Sequence, residues 1–194
     1  MSTLFLHNLQ QHLALFKQLD TLAPAVEEAS RLVTERMRSG GKLMICGNGG
    51  SAADSQHIAA EFTGRFIEDR KPLAALALST DTSALTCIAN DYSFAEIFAR
   101  QVAGLGRAGD CLIGISTSGN SENVIRAVAV AREFGITTIG LLGRDGGKLM
   151  SLCDHAIVVP SSVTARIQEA HILIGHTICG AVEQSLGLVP STED

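Results

Sequence analysis

His57 and Glu61 stand four residues apart, a spacing that puts both side chains on one face of a helix. Farther along, Gln168, His171 and His176 sit close together in a second helical stretch. Imidazole, carboxylate and amide groups of this kind make a zinc-type ligand set or an acid–base pair, and a solvated helix face is the plain alternative. Spacing does not choose between the two histidines. On an ideal helix Gln168 and His176 lie about 80° apart, and Gln168 and His171 about 60°.

Two polar loops could hold the reactant. Gly47-Asn48-Gly49-Gly50-Ser51 follows the apolar run 43–46 and opens a helix, with Ser51 as its expected N-cap. Free backbone N–H groups and the positive end of a helix dipole hold an anion there, commonly a phosphate. The loop also fits a loose G-x-G-x-x-A dinucleotide pattern, but the nearest acidic partner, Asp81, comes late, and the Walker pattern is absent. The second loop, Ser116-Thr117-Ser118-Gly119-Asn120-Ser121, follows another apolar run, 111–115, and adds hydroxyl groups without a fixed cation. Such a nest suits a sugar phosphate, whose hydroxyls also need partners. Phosphate-binding loops with a His/Glu pair one turn beyond suggest an enzyme acting on a phosphorylated small molecule.

The elements that must position these groups alternate. Strands are expected at 43–46, 73–78, 111–115, 137–142 and 156–159. Helices are expected from Ser51 onward and at 80–89, 93–104, 122–134, 148–152 and 164–186, with turns at 90–92 and 143–147. That alternation predicts an α/β fold, a parallel sheet covered on both faces, with ligands at the carboxyl ends of the strands. Two helices precede it, at 3–19 and 24–38. The first carries Leu6, Leu9, Leu13 and Phe16 on one stripe, which either meets a partner subunit or covers the chain's own sheet.

With 194 residues, 46% apolar and 18% charged, the chain is long enough for one domain with a sizeable core. A net charge of -5 argues against a nucleic-acid surface. Five scattered cysteines without a C-x-x-C pair read as reduced core thiols, and so as a cytoplasmic protein. Neither a signal peptide nor a membrane span is expected.

The segments CGNGGSAADSQH, AAEFTGRF, ANDYSF, GISTSGNSENVI, GRDGGK and TARIQEAHILIGH together resemble the bacterial phosphoheptose isomerases of the sugar isomerase (SIS) superfamily, over about residues 4–186. The resemblance implies a three-layer αβα, flavodoxin-like SIS domain over 41–194, with N-terminal helices over 1–40 at the interface of a homotetramer. It implies an aldose–ketose isomerase that converts D-sedoheptulose 7-phosphate to D-glycero-D-manno-heptose 7-phosphate through an enediol. That is the first step toward nucleotide-activated heptose for lipopolysaccharide core or other surface glycans.

By the same resemblance, Asn48, Gly49, Gly50, Ser51, Glu61, Arg65, Asn90, Asp91, Ser116, Thr117, Ser118, Ser121 and Gln168 meet the substrate. One Zn2+ per subunit falls on His57, Glu61, Gln168 and His176, with Glu61 as the C1/C2 base and His176 as the acid or base at oxygen. Where some members carry an acidic residue three positions before the glutamine, this chain has Ala165, and altered sugar contacts are expected. A related group of the same fold binds the replication initiator without catalysis, and a sugar-phosphate sensor is a third reading. Neither requires Glu61 and His176, whose presence favours the enzyme.

Overall fold

The computed structural model describes residues 3–190. Strands β1 (Leu43–Gly47) and β3 (Cys111–Ser116) are buried at every position. β4 (Thr137–Gly143) is buried at all but its first residue. Such continuous apolar runs belong to parallel strands covered on both faces. The shorter β2 (Ala75–Ala77) and β5 (His155–Val159) flank them in the order β2-β1-β3-β4-β5, all parallel. Leu43 pairs with both Ala75 and Cys111, so the strand order reverses at β1/β3. Ligands bind at such a switch point in open α/β sheets.

Strand alternation divides the core in two. Leu43, Ile45, Ile113, Ile139 and Ile157 face α2 (Ala23–Arg38), α3 (Gly50–Thr63) and α8 (Thr164–Ser185). Met44, Cys46 and Leu112 face α5 (Ala99–Leu105) and α6 (Glu122–Glu133). Each fully buried Ile or Leu contributes roughly 1.5–3 kcal/mol of transfer free energy, so these two layers fix the sandwich. The remaining helices are α1 (Leu4–Phe16), α4 (Thr82–Asp91) and α7 (Leu149–Leu152). This is the expected three-layer αβα architecture. Ala29 and Val33 of α2 belong to the same core as the sheet, which ties the N-terminal helices to the rest.

Several expected boundaries move for identifiable reasons. Gly49, at φ 56°, caps α3 in place of Ser51, because a left-handed turn there is open to glycine. Ser51 lies buried in the first helical turn, its N–H donating to Asn48 O. The strand expected at 73–78 shortens to β2, since Leu73 N–H donates to Phe62 O of α3 instead of entering the ladder. Asp81 caps α4 by accepting from Ala84 N, which shifts that helix to Thr82–Asp91. Asn90 and Asp91 therefore close a helix rather than form a turn. The helix expected over 93–104 divides into a 3-10 turn at Phe94–Glu96 and α5.

α1 docks on α8 through His12 Nδ1 and Glu169 Oε2, 2.8 Å apart, and through Arg166, which donates to Asn8 O. Leu15 and Phe16 reach the core, but Leu6, Leu9 and Leu13 remain 46%, 39% and 50% exposed. Leu6, Leu9 and Leu13 of the stripe thus do not cover the chain's own sheet, while Phe16 packs on its core. The cysteines are all free thiols; Cys87 is exposed, Cys153 half-buried and the other three buried. Among the described residues no helix is long and apolar enough to cross a membrane.

Candidate active site

The loops after β1 and β3 lie side by side because their strands pair at the switch point. Asn48 and Asn123 tie them together with a reciprocal amide pair, Nδ2 to Oδ1, at 2.9 and 2.8 Å. The Asn48 side chain is thereby engaged, while Gly49 and Gly50 stay exposed. Asn123 is 2% exposed and was not among the expected site residues. Its only signal in the sequence is a polar residue on the face of α6 that also buries Val124, Ala127 and Val128.

In the second loop Ser116 Oγ and Ser121 Oγ are 2.9 Å apart, so Ser121 precedes α6 without making a side-chain cap bond. That leaves N–H groups of the first helical turn without a capping side chain, the usual seat of an anion. Thr117 and Ser118 are half-buried beside them. Gly119, at φ 65°, is packed so tightly that an added Cβ would collide with Gly146 O. The loop is buttressed from behind: Lys148 N donates to Asn120 Oδ1 and Leu149 N to Gly119 O.

On the neighbouring helices, His57 Nε2 lies 3.1 Å from Glu61 Oε1, and His176 Nε2 lies 3.1 Å from His57 Nε2. Gly175 permits this approach, since Ile58 occupies the space a Cβ would fill. Phe66 stacks on His176 with ring centroids 5.2 Å apart. The three donor atoms all lie within 4.8 Å of one another. Two imidazoles and a carboxylate converging in this way fit a tetrahedral zinc-type ion, whose ligands at ~2.1 Å would stand roughly 3.4 Å apart. One turn earlier, Asp54 Oδ2 is buried with no hydrogen-bond partner among the described residues. Burial raises the Asp54 carboxyl above its usual range, opposed by His57.

The other expected residues are dispersed. Gln168 lies against Gly50, where an added Cβ would strike its amide. It stands two turns, about 12 Å along the axis, before His176. His171 is fully buried and bonds Leu142 O through Nε2 at 2.9 Å, which makes it a core residue. Arg65 donates to Ile67 O in the segment after α3. Asn90 and Asp91 are exposed and bond each other.

Residues 7–143 match the SIS domain family model, a match that begins inside α1. The chain is 54% identical to the phosphoheptose isomerase of Rhodospirillum rubrum over 171 residues, covering 88% of this chain and 91% of the relative. The Nitratiruptor sp. phosphoheptose isomerase is 61% identical over 157 residues, covering 81% and 84%. Among solved structures, the phosphoheptose isomerase of Neisseria gonorrhoeae superposes with a TM-score of 0.87 at 47% identity, covering 92% of this chain and 96% of that one. With relatives this similar along nearly its whole length, the chain belongs to the phosphoheptose isomerases of the SIS-domain family and is an isomerase.

Proposed function

We propose that the protein interconverts D-sedoheptulose 7-phosphate and D-glycero-D-manno-heptose 7-phosphate. The observation that carries the reading is the meeting of His57, Glu61 and His176, the first two on the helix that opens from the phosphate-suited loop after β1. The phosphate is held by N–H and hydroxyl groups of Gly49, Gly50, Ser116, Thr117, Ser118 and Ser121, with Asn48 and Ser51 shaping the first loop. Arg65, Asn90 and Asp91 contribute at the sugar, and Gln168 faces the substrate from beside Gly50. Glu61 Oε1 meets His57, which leaves Oε2 to take the proton from C1 and return it to C2. His176 gives a proton to the carbonyl oxygen at C2 and accepts one from the hydroxyl at C1, passing through the enediol.

A zinc ion, one per subunit, would be held by His57, Glu61 and His176 with Gln168 as the fourth ligand, and would polarise the substrate oxygens. The lone pairs that bind metal are those that move protons, so zinc content decides how the triad divides these duties. We further infer a cytoplasmic homotetramer whose product feeds nucleotide-activated heptose for surface glycans. Support for the tetramer is the exposed Leu6/Leu9/Leu13 stripe of α1.

The test is turnover of sedoheptulose 7-phosphate by wild type and Glu61→Gln, each chelated and zinc-loaded. Loss of 10²- to 10⁴-fold in the variant is expected of a proton-transfer group. Equal activity in the two proteins ends the assignment of Glu61. Absence of turnover in folded wild type in either state ends the substrate reading.

A further inference from the structure

Arg70 has no role in the site as described, yet its side chain is 1% exposed and its partner Glu183 2%. Buried guanidinium groups are rare unless every donor is answered, and here they are. Nε and Nη2 both lie 2.7 Å from Glu183 Oε1. Nη2 also donates to Glu61 O at 2.7 Å, and Nη1 to the carbonyls of Phe62, Gly64 and Lys71. Three of those carbonyls close the last turn of α3, where a cation opposes the negative end of the helix dipole. Glu183 lies on α8 two turns past His176, and it also accepts from Phe66 N at 3.3 Å. Phe66 is the residue whose ring stacks on His176.

The connections therefore run from the backbone of Glu61, through Arg70 and Glu183, to the strap that presses on His176. We propose that Arg70 and Glu183 are positioning residues for the reaction: they lock the end of α3 to α8 so that His57, Glu61 and His176 converge. This rests on the reading of that triad as the reacting centre. A purely structural pair would hold the fold without setting the distance between donor atoms on the two helices. The planar fork of arginine is needed because it meets one carboxylate and several carbonyls at once, which an ammonium cannot do.

The test replaces both charges by groups of similar volume, Arg70→Met with Glu183→Met, since exchanging a whole buried pair for apolar side chains commonly leaves a fold standing. Zinc affinity is measured by calorimetric titration, alongside kcat and KM for sedoheptulose 7-phosphate. The expected result is an unchanged KM, with kcat and zinc affinity each lowered about 10- to 100-fold, the usual cost of losing outer-shell support. A folded double variant with wild-type kcat and zinc affinity overturns the proposal. Should the double variant not fold, Arg70→Lys keeps the charge and loses the fork. Lowered kcat with an intact thermal transition then supports positioning, and wild-type kcat overturns it. Glu61→Gln run in parallel separates the two readings: if it too retains full activity, the assignment of the triad has failed rather than its support.

Discussion

His171 offers a sharp test of the fold's physical account. Its ring is wholly buried, with Nε2 2.9 Å from Leu142 O and Nδ1 without a partner among the described residues. The neutral tautomer with its proton on Nε2 satisfies that carbonyl. Protonation would add a second buried N–H that no described residue accepts. Burial accordingly lowers the His171 pKa from 6.5 to about 4, opposed only by the bond to Leu142. In the unfolded chain the ring takes up its proton near pH 6.5, so between 6.5 and 4 the unfolded state binds one proton more. Stability contributed by the neutral ring is complete above pH 6.5 and falls by about 1.4 kcal/mol per pH unit below it, for a total of ~3 kcal/mol. His171→Gln keeps a donor near Leu142 O and removes the titration. Urea unfolding of both proteins, chelated so that the triad is equally free of metal, should give stability curves that converge as pH drops. The wild type should lose ~3 kcal/mol relative to the variant between neutral pH and pH 4. Parallel curves would refute the account, because they would mean that the folded protein protonates His171 as readily as the unfolded chain does.

Two further outcomes follow from the Asn48–Asn123 pair and the exposed face of α1. Asn123→Asp removes one of the two amide bonds to Asn48 and sets a carboxylate beside the loops after β1 and β3. A loss of about 1–3 kcal/mol in substrate binding is expected, read as a KM raised roughly 5- to 150-fold with kcat less affected. Replacing Leu6, Leu9 and Leu13 together by Ser removes apolar area that is already half exposed in the single chain. Sedimentation velocity should show a smaller assembly with unchanged far-UV helicity, and an unaltered sedimentation coefficient would separate that stripe from the interface.

What the sequence revealed was what it encodes locally. The run from Leu43 to Cys46 and the glycine loop after it announced a strand and a helix start, and β3 with its serine loop announced the same unit again. Side-chain capping was less legible. Ser51 satisfies every local rule for an N-cap, but the positive φ of Gly49 allows the turn one residue earlier and sends Ser51 inward. The division of 93–104 was hidden because Phe94 and Ile97 suit a continuous helix as well as a broken one. His57 and Glu61 were visible as a pair by their spacing alone, yet that spacing could not say that His176 would join them and His171 would not. Arg70 left no periodic trace, and Asn123 only a polar residue on the buried face of α6, because their partners lie 113 and 75 residues away.

These two long-range pairs act at opposite ends of α3, and that separation has a consequence of its own. Asn48 lies at the helix start and Glu61 in its last turn, about 20 Å apart at 1.5 Å per residue. They share no hydrogen-bond partner among the described residues, and the helix between them is packed on the sheet by Ile58, Ala59 and Phe62. Changes this far apart without common contacts add within about 0.3–0.5 kcal/mol. Asn123→Asp combined with Arg70→Met/Glu183→Met should therefore multiply its costs: KM rises as in the first variant, kcat falls as in the second, and kcat/KM drops by their product. A combined loss well short of that product would mean that the loops and the triad communicate through α3. A rigid helix would then be the wrong picture of how binding at one end is joined to chemistry at the other, and the loop pair would itself help to set the distance between His57 and His176.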